Sequence, residues 1–335
     1  MLRYAMRWLI VTQYDRPGHM GVDFADELRA HGHEVRLFAY RRDNPLYKNR
    51  GSKSVYQRLI LRRLGRTAVE WRPSLVLVIK GGPIPPDFIS RLRRRVDARF
   101  LNFFPDNPLW MIPFECIEAY DLFFTKERYA LESLRRVGLR NVHYLPLYCV
   151  PELHHPVTLT SAEQARFAAP IAFVGSRYPY RERLLAELAD RPLRVWGGGW
   201  ARASDARVRA LVAGGPVWGR DKLCVYSGST LSLNPHHPIN DIVGTNTRTF
   251  ELAAAGAGQI ADAKDDLATL FKPGEELLTY RDLADLRRQL DHYLARPEEA
   301  RAIGENARRR ALAEHTIAHR IAEIVATVET KFGRR

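Results

Sequence analysis

The sequence has few cysteines and no long apolar run. Its 335 residues include three cysteines, Cys116, Cys149 and Cys224, which lie far apart and show no metal-ligand spacing. An odd, scattered set of thiols argues against a disulfide framework and fits a reducing compartment. The apolar run at residues 8–11 is too short for a membrane span or for the core of a secretory signal. We therefore expect a cytoplasmic protein whose cysteines are structural.

Acidic residues are scarce in the first half of the chain. Residues 1–150 contain 26 Lys and Arg against 15 Asp and Glu, a net charge of +11, whereas residues 151–335 contain 26 against 23, a net charge of +3. Pairs such as Arg41-Arg42 and Arg62-Arg63 contribute to the excess. Three interpretations are open: peripheral docking on anionic lipid at the inner face of the membrane, binding of nucleic acid or another polyanion, and a solvated Arg-rich surface.

Apolar strand patterns and amphipathic helix patterns alternate along the chain. Residues 7–12 read as a strand, residues 22–31 as a helix that ends at Gly32, and residues 75–79 as a continuous apolar run typical of a strand buried on both faces. Alternation with short connections predicts an α/β fold with doubly wound parallel sheets.

The alternation stops once, at residues 146–170, where several prolines break the pattern, and it restarts at Ile171. We interpret this segment as a linker between two domains, residues 1–150 and residues 151–316. The length of the chain is sufficient for two separate cores.

The most informative phrase is residues 246–256, NTRTFELAAAG, which predicts a helix with a polar cap and one acid, Glu251. Asn246 or Thr247 is suited to cap this helix, and Arg248 adds a cation beside the cap. A carboxylate on the first turns can accept hydrogen bonds from two ribose hydroxyls, while the helix N-terminus attracts a phosphate. The phrase therefore predicts a nucleotide-sugar site.

Other candidate donor-binding residues follow predicted strands or precede the Glu251 helix. Gly175 and Ser176 permit close backbone approach, and Arg177 is placed to pair with a diphosphate. Lys222 is either a second phosphate ligand or an ordinary helix-surface lysine. The remaining candidates are Gly197 and Gly198, where a base can approach the backbone, and Asn234 and Asp241, which line the loop before the Glu251 helix.

Several phrases, taken in order, resemble GT-B glycosyltransferases of the group named after the spore maturation protein CgeB. Besides residues 246–256, they are residues 71–81 (WRPSLVLVIKG), 104–108 (FPDNP), 144–147 (YLPL), 171–177 (IAFVGSR), 195–200 (VWGGGW), 231–234 (LSLN) and His315-Thr316 with Arg320. The resemblance implies a GT-B fold, with two Rossmann-like domains facing a cleft and a last helix, about residues 317–335, that packs back on the first domain.

The resemblance also implies a hexosyltransferase-type enzyme that moves a sugar from a nucleotide-diphosphate-sugar donor to an acceptor hydroxyl. The acceptor is a glycan, a lipid-linked molecule, a protein or a small molecule. GT-B enzymes generally need no bound metal, so neither a metal nor a cofactor is expected. The first domain should supply the general base, for which Asp106 is the first candidate and His19, in the loop after the first strand, is its rival.

The chain departs from the GT-B pattern at one position. Many retaining GT-B enzymes carry a second Glu eight residues before the first, and that position is Val243 here. Neither a retaining nor an inverting outcome is therefore implied. Two other functions stay open: a non-catalytic GT-B protein that docks on a polyanion or surface polymer, and a nucleotide-sugar epimerase, which would need more acids in the donor half.

Overall fold

The computed structural model describes residues 5–41, 53–82 and 84–333. It divides into two compact units, one of residues 1–146 with 317–335 and the other of residues 147–316. Each unit contains one six-stranded sheet, and every strand pair is parallel. The α/β prediction with doubly wound parallel sheets is confirmed.

The first sheet has the strand order β2-β1-β3-β4-β5-β6. Its strands are β1 (Arg7–Thr12), β2 (Glu34–Ala39), β3 (Leu75–Ile79), β4 (Arg99–Phe104), β5 (Leu122–Thr125) and β6 (Val142–Tyr144). The helices described in this unit are α1 (Met20–Ala30), α2 (Lys53–Trp71), α3 (Pro86–Arg93), α4 (Phe114–Glu118), α5 (Arg128–Arg136) and the C-terminal Ile317–Phe332.

The core of the first unit forms around its central strands. All five residues of β3 are buried, as expected of a strand covered by helices on both faces. The C-terminal helix Ile317–Phe332 lies against α1. Its Arg320 is buried and donates from Nε to the Pro146 carbonyl oxygen at 2.9 Å, while Nη1 pairs with Glu323 at 2.7 Å. The guanidinium is thereby satisfied where it leaves water.

The second sheet has the strand order β12-β11-β10-β7-β8-β9. Its strands are β7 (Ala169–Val174), β8 (Leu193–Trp196), β9 (Val212–Gly214), β10 (Ser229–Asn234), β11 (Gln259–Asp262) and β12 (Leu278–Tyr280). Its helices are α6 (Ser161–Phe167), α7 (Pro179–Ala186), α8 (Ala206–Ala210), α9 (Gly219–Ser227), α10 (Thr247–Ala254), α11 (Asp265–Leu270), α12 (Leu283–Ala295) and α13 (Pro297–Glu314), which makes Ile317–Phe332 helix α14.

The residues interpreted as a linker, 146–170, contain a regular element. Helix α6 begins after Thr160, whose hydroxyl accepts from the Glu163 amide at 3.3 Å while the Glu163 carboxylate accepts from the Thr160 amide at 2.9 Å. This reciprocal capping box stabilises a short helix that has little apolar periodicity. Strand β7 begins at Ala169, two residues before the position expected from the apolar run.

The carboxyl ends of β7, β8, β10 and β11 lie on one edge of the second sheet because the strands are parallel. Gly197 follows β8 with φ of 153°, and a Cβ at this position would lie 2.0 Å from the Gly175 carbonyl oxygen. Only glycine permits this approach, which brings the loops after β7 and β8 together.

Among the described residues, no helix is both long enough and apolar enough to cross a membrane.

Candidate functional site

Glu251 lies on α10 of the second unit, where its carboxylate meets three polar side chains. Lys222 Nζ, from α9, lies 3.1 Å from Oε2, and the Tyr226 hydroxyl donates to the same oxygen at 3.4 Å. His154 Nε2 lies 3.7 Å from Oε1. The Glu251 side chain is 18% exposed, so a ligand can still reach it.

The charge state of Glu251 follows from these neighbours. Burial acts to raise its pKa, but the Lys222 ammonium, with the charge of Arg248, outweighs burial and holds the pKa below its ordinary value. The carboxylate is therefore ionised at neutral pH and accepts hydrogen bonds.

His154 is oriented by the backbone and is neutral. The Val150 amide donates to Nδ1 at 3.1 Å, so the ring proton of neutral His154 lies on Nε2, which points toward Glu251. Burial lowers the pKa of His154 to about 4, even though the nearby Glu251 carboxylate acts to raise it. Sequence reasoning missed this residue because it lies in the segment interpreted as a linker.

A polar network fixes the start of α10. Asn246, not Thr247, is the cap: its side chain accepts from the Thr249 amide at 3.1 Å and donates to Asn234 Oδ1 at 2.9 Å. Arg248 Nη1 donates to the same Asn234 oxygen at 3.2 Å. Asn234 is fully buried at the end of β10, so the predicted residues Asn234, Asn246 and Arg248 are brought together.

Two guanidinium groups lie side by side at Gly175. Arg181 and Arg248 are 5.5 Å and 5.3 Å from the centroid of the same Phe173 ring. A Cβ on Gly175 would lie 2.6 Å from Arg248 Nη2 and 3.4 Å from Arg181 Nη1. Burial, with the charge of Arg248, lowers the pKa of Arg181.

Neither guanidinium has a carboxylate within ion-pair distance in the part of the chain that the structure describes. Arg181 Nη1 donates to the Ser176 carbonyl oxygen at 3.0 Å, and its guanidinium also lies over the Tyr178 and Tyr180 rings. Two adjacent cations without a neighbouring carboxylate attract an anion. Arg181, four residues after Arg177, is buried, with 8% of its surface exposed.

Arg177, the predicted diphosphate ligand, points to another partner. Its Nε pairs with the Glu182 carboxylate, whose Oε1 accepts from the Ser204 amide and hydroxyl at 2.5 Å and 2.6 Å. The Arg177 amide donates to the Gly198 carbonyl oxygen at 2.9 Å. Arg177 therefore ties the loop after β7 to the loop after β8, with its charge already balanced.

The other predicted donor residues lie around this edge. The Gly175 carbonyl oxygen accepts from the Trp200 indole at 2.7 Å, and Gly198 lies against Pro216. Asp241 is buried and accepts from the His237 amide at 2.8 Å. Through this hydrogen bond its carboxylate stabilises the loop before α10.

The adjacent histidines point to different partners. His236 Nδ1 lies 2.8 Å from Asp262, whereas the His237 ring packs against Tyr178 and Tyr180. Over the described ranges, no cluster of three or more His, Cys, Asp or Glu side chains has an arrangement able to hold a metal ion.

In the first unit, Asp106 pairs with Lys80 at 2.5 Å. Lys80 follows β3 with φ of 68°, a conformation rare for a residue with a Cβ. The pair borders a pocket of about 350 Å³ between α2 and the segment after β4. The lining residues are Gln13, Tyr40, Arg41, Tyr56, Gln57, Ile60, Lys80, Gly82, Phe104, Met111 and Ile112.

His19, the other predicted base, is the residue before α1, and its ring lies 4.9 Å from the Tyr14 ring. Burial, with a smaller contribution from Arg16, lowers the pKa of His19, which keeps the ring neutral at pH 7. Strands β1 and β4, which precede His19 and Asp106, are separated by β3. The two candidates thus follow strands that are not neighbours in the sheet.

The chain is similar to glycosyltransferases. Residues 177–326 match the family model described as glycosyl transferase-like. No curated protein matches the chain at a significant level.

Solved structures of glycosyltransferases align over almost the whole chain. Sucrose-phosphate synthase from Thermosynechococcus elongatus aligns with a TM-score of 0.72 at 16% identity, over 98% of this chain and 99% of that one. A glycosyltransferase from Rickettsia africae ESF-5 aligns with a TM-score of 0.70 at 14% identity, over 99% and 100%. HepE from Anabaena, solved in complex with UDP-glucose, aligns with a TM-score of 0.66 at 13% identity, over 97% and 100%. The two six-stranded parallel sheets and these alignments show that the chain has the GT-B fold.

Proposed function

We propose that this protein is a glycosyltransferase that moves a sugar from a nucleotide-diphosphate-sugar donor to an acceptor hydroxyl. The observation that carries the proposal is an ionised carboxylate, Glu251, on the same helix as Arg248. Arg248 and Arg181 form a pair of cations beside Gly175, and neither has a carboxylate within ion-pair distance in the described residues. A nucleoside diphosphate presents both complementary groups, a ribose diol and adjacent anionic phosphates. We place the protein in the CgeB-like group and expect a hexosyl donor, because the phrases quoted above occur along the chain in the order typical of that group.

Glu251 is suited to bind the ribose. Its two carboxylate oxygens accept hydrogen bonds from the neighbouring 2′ and 3′ hydroxyls, and Lys222 and His154 hold the carboxylate in place on opposite oxygens. The Lys222 ammonium pairs with the Glu251 carboxylate and thereby orients it. Lys222 can also approach a phosphate of the donor.

Arg181 and Arg248 are suited to bind the diphosphate. When the glycosidic bond to the donor breaks, negative charge grows on the departing nucleoside diphosphate, and preorganised cations stabilise that charge. The backbone amides at the start of α10 add to this potential, since Asn246 occupies the Thr249 amide and leaves the amides before it for an anion. This positive charge supports transfer without a metal ion.

The first unit is proposed to bind the acceptor. Asp106 is the candidate general base beside the pocket, where the Lys80 ammonium orients its carboxylate. Neutral His19 remains the rival base. Each has the chemistry to accept the proton of an attacking hydroxyl.

Uridine nucleotides are the first donors to test, because HepE was solved with UDP and with UDP-glucose. A thermal-shift screen in excess EDTA should compare UDP, GDP, ADP and dTDP with their sugar conjugates. We expect one diphosphate family to raise the melting temperature, because a ligand that binds only the folded state stabilises it. The matching sugar conjugate should then release its diphosphate slowly in water and faster with the acceptor. Binding of no nucleotide would contradict the proposal, and binding without turnover would favour a non-catalytic protein.

A further inference from the structure

Helix α2 exposes a face that combines arginines with apolar side chains. Val55 and Leu59 are 52% and 46% exposed, and Arg58, Arg62, Arg63 and Arg66 are exposed beside them. At 100° per residue these six side chains fall within an arc of about 140° and extend about 17 Å along the helix. We call them the α2 face. Residues 54–66 contain no Asp or Glu, and of the four arginines Arg66 pairs with Glu70, at 3.8 Å, one turn further along the helix.

A second exposed apolar group lies on the segment after β4. Trp110 is 65% exposed, and Met111 and Phe114 are about half exposed. We call these three residues the tryptophan segment. Tyr56 and Ile60, on the inner side of α2, line the same pocket as Met111 and Ile112. Helix α2 and the tryptophan segment therefore border the same pocket: the inner side of α2 and Met111 line it, and the α2 face lies on the outer side of the helix.

The combination of exposed arginines with exposed apolar side chains favours one of the partners that a basic surface can bind. Exposed apolar side chains lower the free energy only when a partner removes them from water. A nucleic-acid backbone would neutralise the arginines, but it offers no apolar phase for Val55, Leu59 and Phe114. An anionic bilayer surface offers both, with phosphate headgroups for the arginines, acyl chains for the apolar residues, and an interfacial zone that tryptophan favours.

We propose that the α2 face and the tryptophan segment dock the first unit on an anionic lipid surface. The arginines supply long-range attraction, and Val55, Leu59 and Trp110 insert at the boundary between headgroups and acyl chains. This inference does not depend on the glycosyltransferase proposal, because it rests on residues outside the Glu251 site.

The test is sedimentation of the full chain with vesicles of phosphatidylcholine, with or without about one third phosphatidylglycerol, at two salt concentrations. One variant reverses charge on the helix face (Arg62→Glu with Arg63→Glu), and a second removes apolar contact while keeping every charge (Leu59→Ser with Trp110→Ser). The matched control, Arg136→Glu with Arg140→Glu, makes the same charge change at or just after α5, next to the far edge of the sheet. All changed side chains are exposed, and circular dichroism checks folding.

We expect the wild type to bind anionic vesicles at least about tenfold more tightly than neutral ones, and less tightly at high salt. Both face variants should lose about tenfold in affinity, whereas the control should stay within about twofold of wild type. Equal binding to neutral vesicles, or equal loss in the control, would overturn the proposal. So would an unchanged affinity of the Leu59 and Trp110 variant together with competition by duplex DNA, since that result indicates a general polyanion surface.

Discussion

At the scale of single residues, the arginines near Gly175 differ in whether a carboxylate balances their charge. Arg177 has a carboxylate partner in Glu182, while Arg181 and Arg248 face each other beside Gly175. Holding two guanidinium groups together in a partly buried site costs free energy, which an anionic ligand offsets. We therefore propose that the unbalanced pair, Arg181 and Arg248, binds the anionic ligand.

Replacing Arg181 by Gln should weaken binding of the nucleoside diphosphate at least about tenfold, because it removes one of two charge-assisted contacts. Arg183→Gln is the matched control, since Arg183 is exposed on the same helix. Titration calorimetry measures both. Loss of affinity in the Arg183 variant alone would contradict the assignment.

Glu251→Gln should weaken nucleotide binding at least tenfold, or about 1.4 kcal/mol, because an amide oxygen is a poorer acceptor for ribose hydroxyls than a carboxylate. The loss should be similar for the diphosphate and for the nucleoside without phosphates. The Arg181 variant should instead affect only the phosphorylated ligand. If Glu251→Gln spared the nucleoside, the ribose contact would be wrong.

His154 should make stability depend on pH. Its folded pKa of about 4 lies below the ordinary value of 6.5, so the unfolded chain takes up a proton first as the pH falls. The contribution is fully present above pH 6.5 and is lost as the pH falls toward 4. Between pH 7 and pH 5 the wild type should lose about 2 kcal/mol more unfolding free energy than His154→Gln. Urea denaturation at both pH values measures this difference, and equal losses would refute it.

At the scale of elements, we expect the start of α10 to affect both stability and nucleotide binding. Asn246→Ala removes the helix cap and the hydrogen bond to Asn234, so it should cost about 1–2 kcal/mol of unfolding free energy. Asp282→Ala removes the exposed cap of α12, where Asp282 accepts from the Asp285 amide at 2.7 Å, and should cost about 1 kcal/mol. Only the Asn246 variant should also weaken nucleotide binding. Equal nucleotide affinity in both variants would show that this cap does not shape the site.

The elements show what sequence reasoning can reach. Buried parallel strands such as β3 are long apolar runs, and the α10 helix carries its own cap, so both were predictable. Helix α6 was missed although its capping-box pair, Thr160 and Glu163, was visible in the sequence. His154 contacts Glu251 from almost a hundred residues away in sequence, and local periodicity carries no information on such a contact.

The ion pair between Arg177 and Glu182 was also beyond the sequence. Arg177 precedes α7, and Glu182 is five residues further on, which is not a helical neighbour spacing. Their ion pair depends on the path of the loop after β7 and on Ser204, which holds the other carboxylate oxygen. The motif predicted Arg177 as a diphosphate ligand, whereas its ion pair with Glu182 is the reason that our proposal places the diphosphate on Arg181 and Arg248.

At the scale of the whole molecule, the two units contain parallel sheets of the same kind, but the two halves of the sequence differ in net charge. The order of strands within each sheet follows from long-range pairing, which the sequence pattern did not reveal. The excess of positive charge in residues 1–150 is visible from composition alone. Only the structure shows which of these arginines lie beside exposed apolar side chains on the α2 face and which are solvated elsewhere.

The central claim is that the second unit binds the ribose and diphosphate of a nucleotide-sugar donor. The most direct measurement is titration calorimetry of the full chain, in excess EDTA, with a nucleoside diphosphate, its monophosphate and the free nucleoside, beginning with uridine. The account predicts affinity that falls at least about tenfold from diphosphate to nucleoside, because the arginine pair acts on the phosphates. Equal affinity for all three ligands, or no binding of any nucleoside diphosphate, would contradict it.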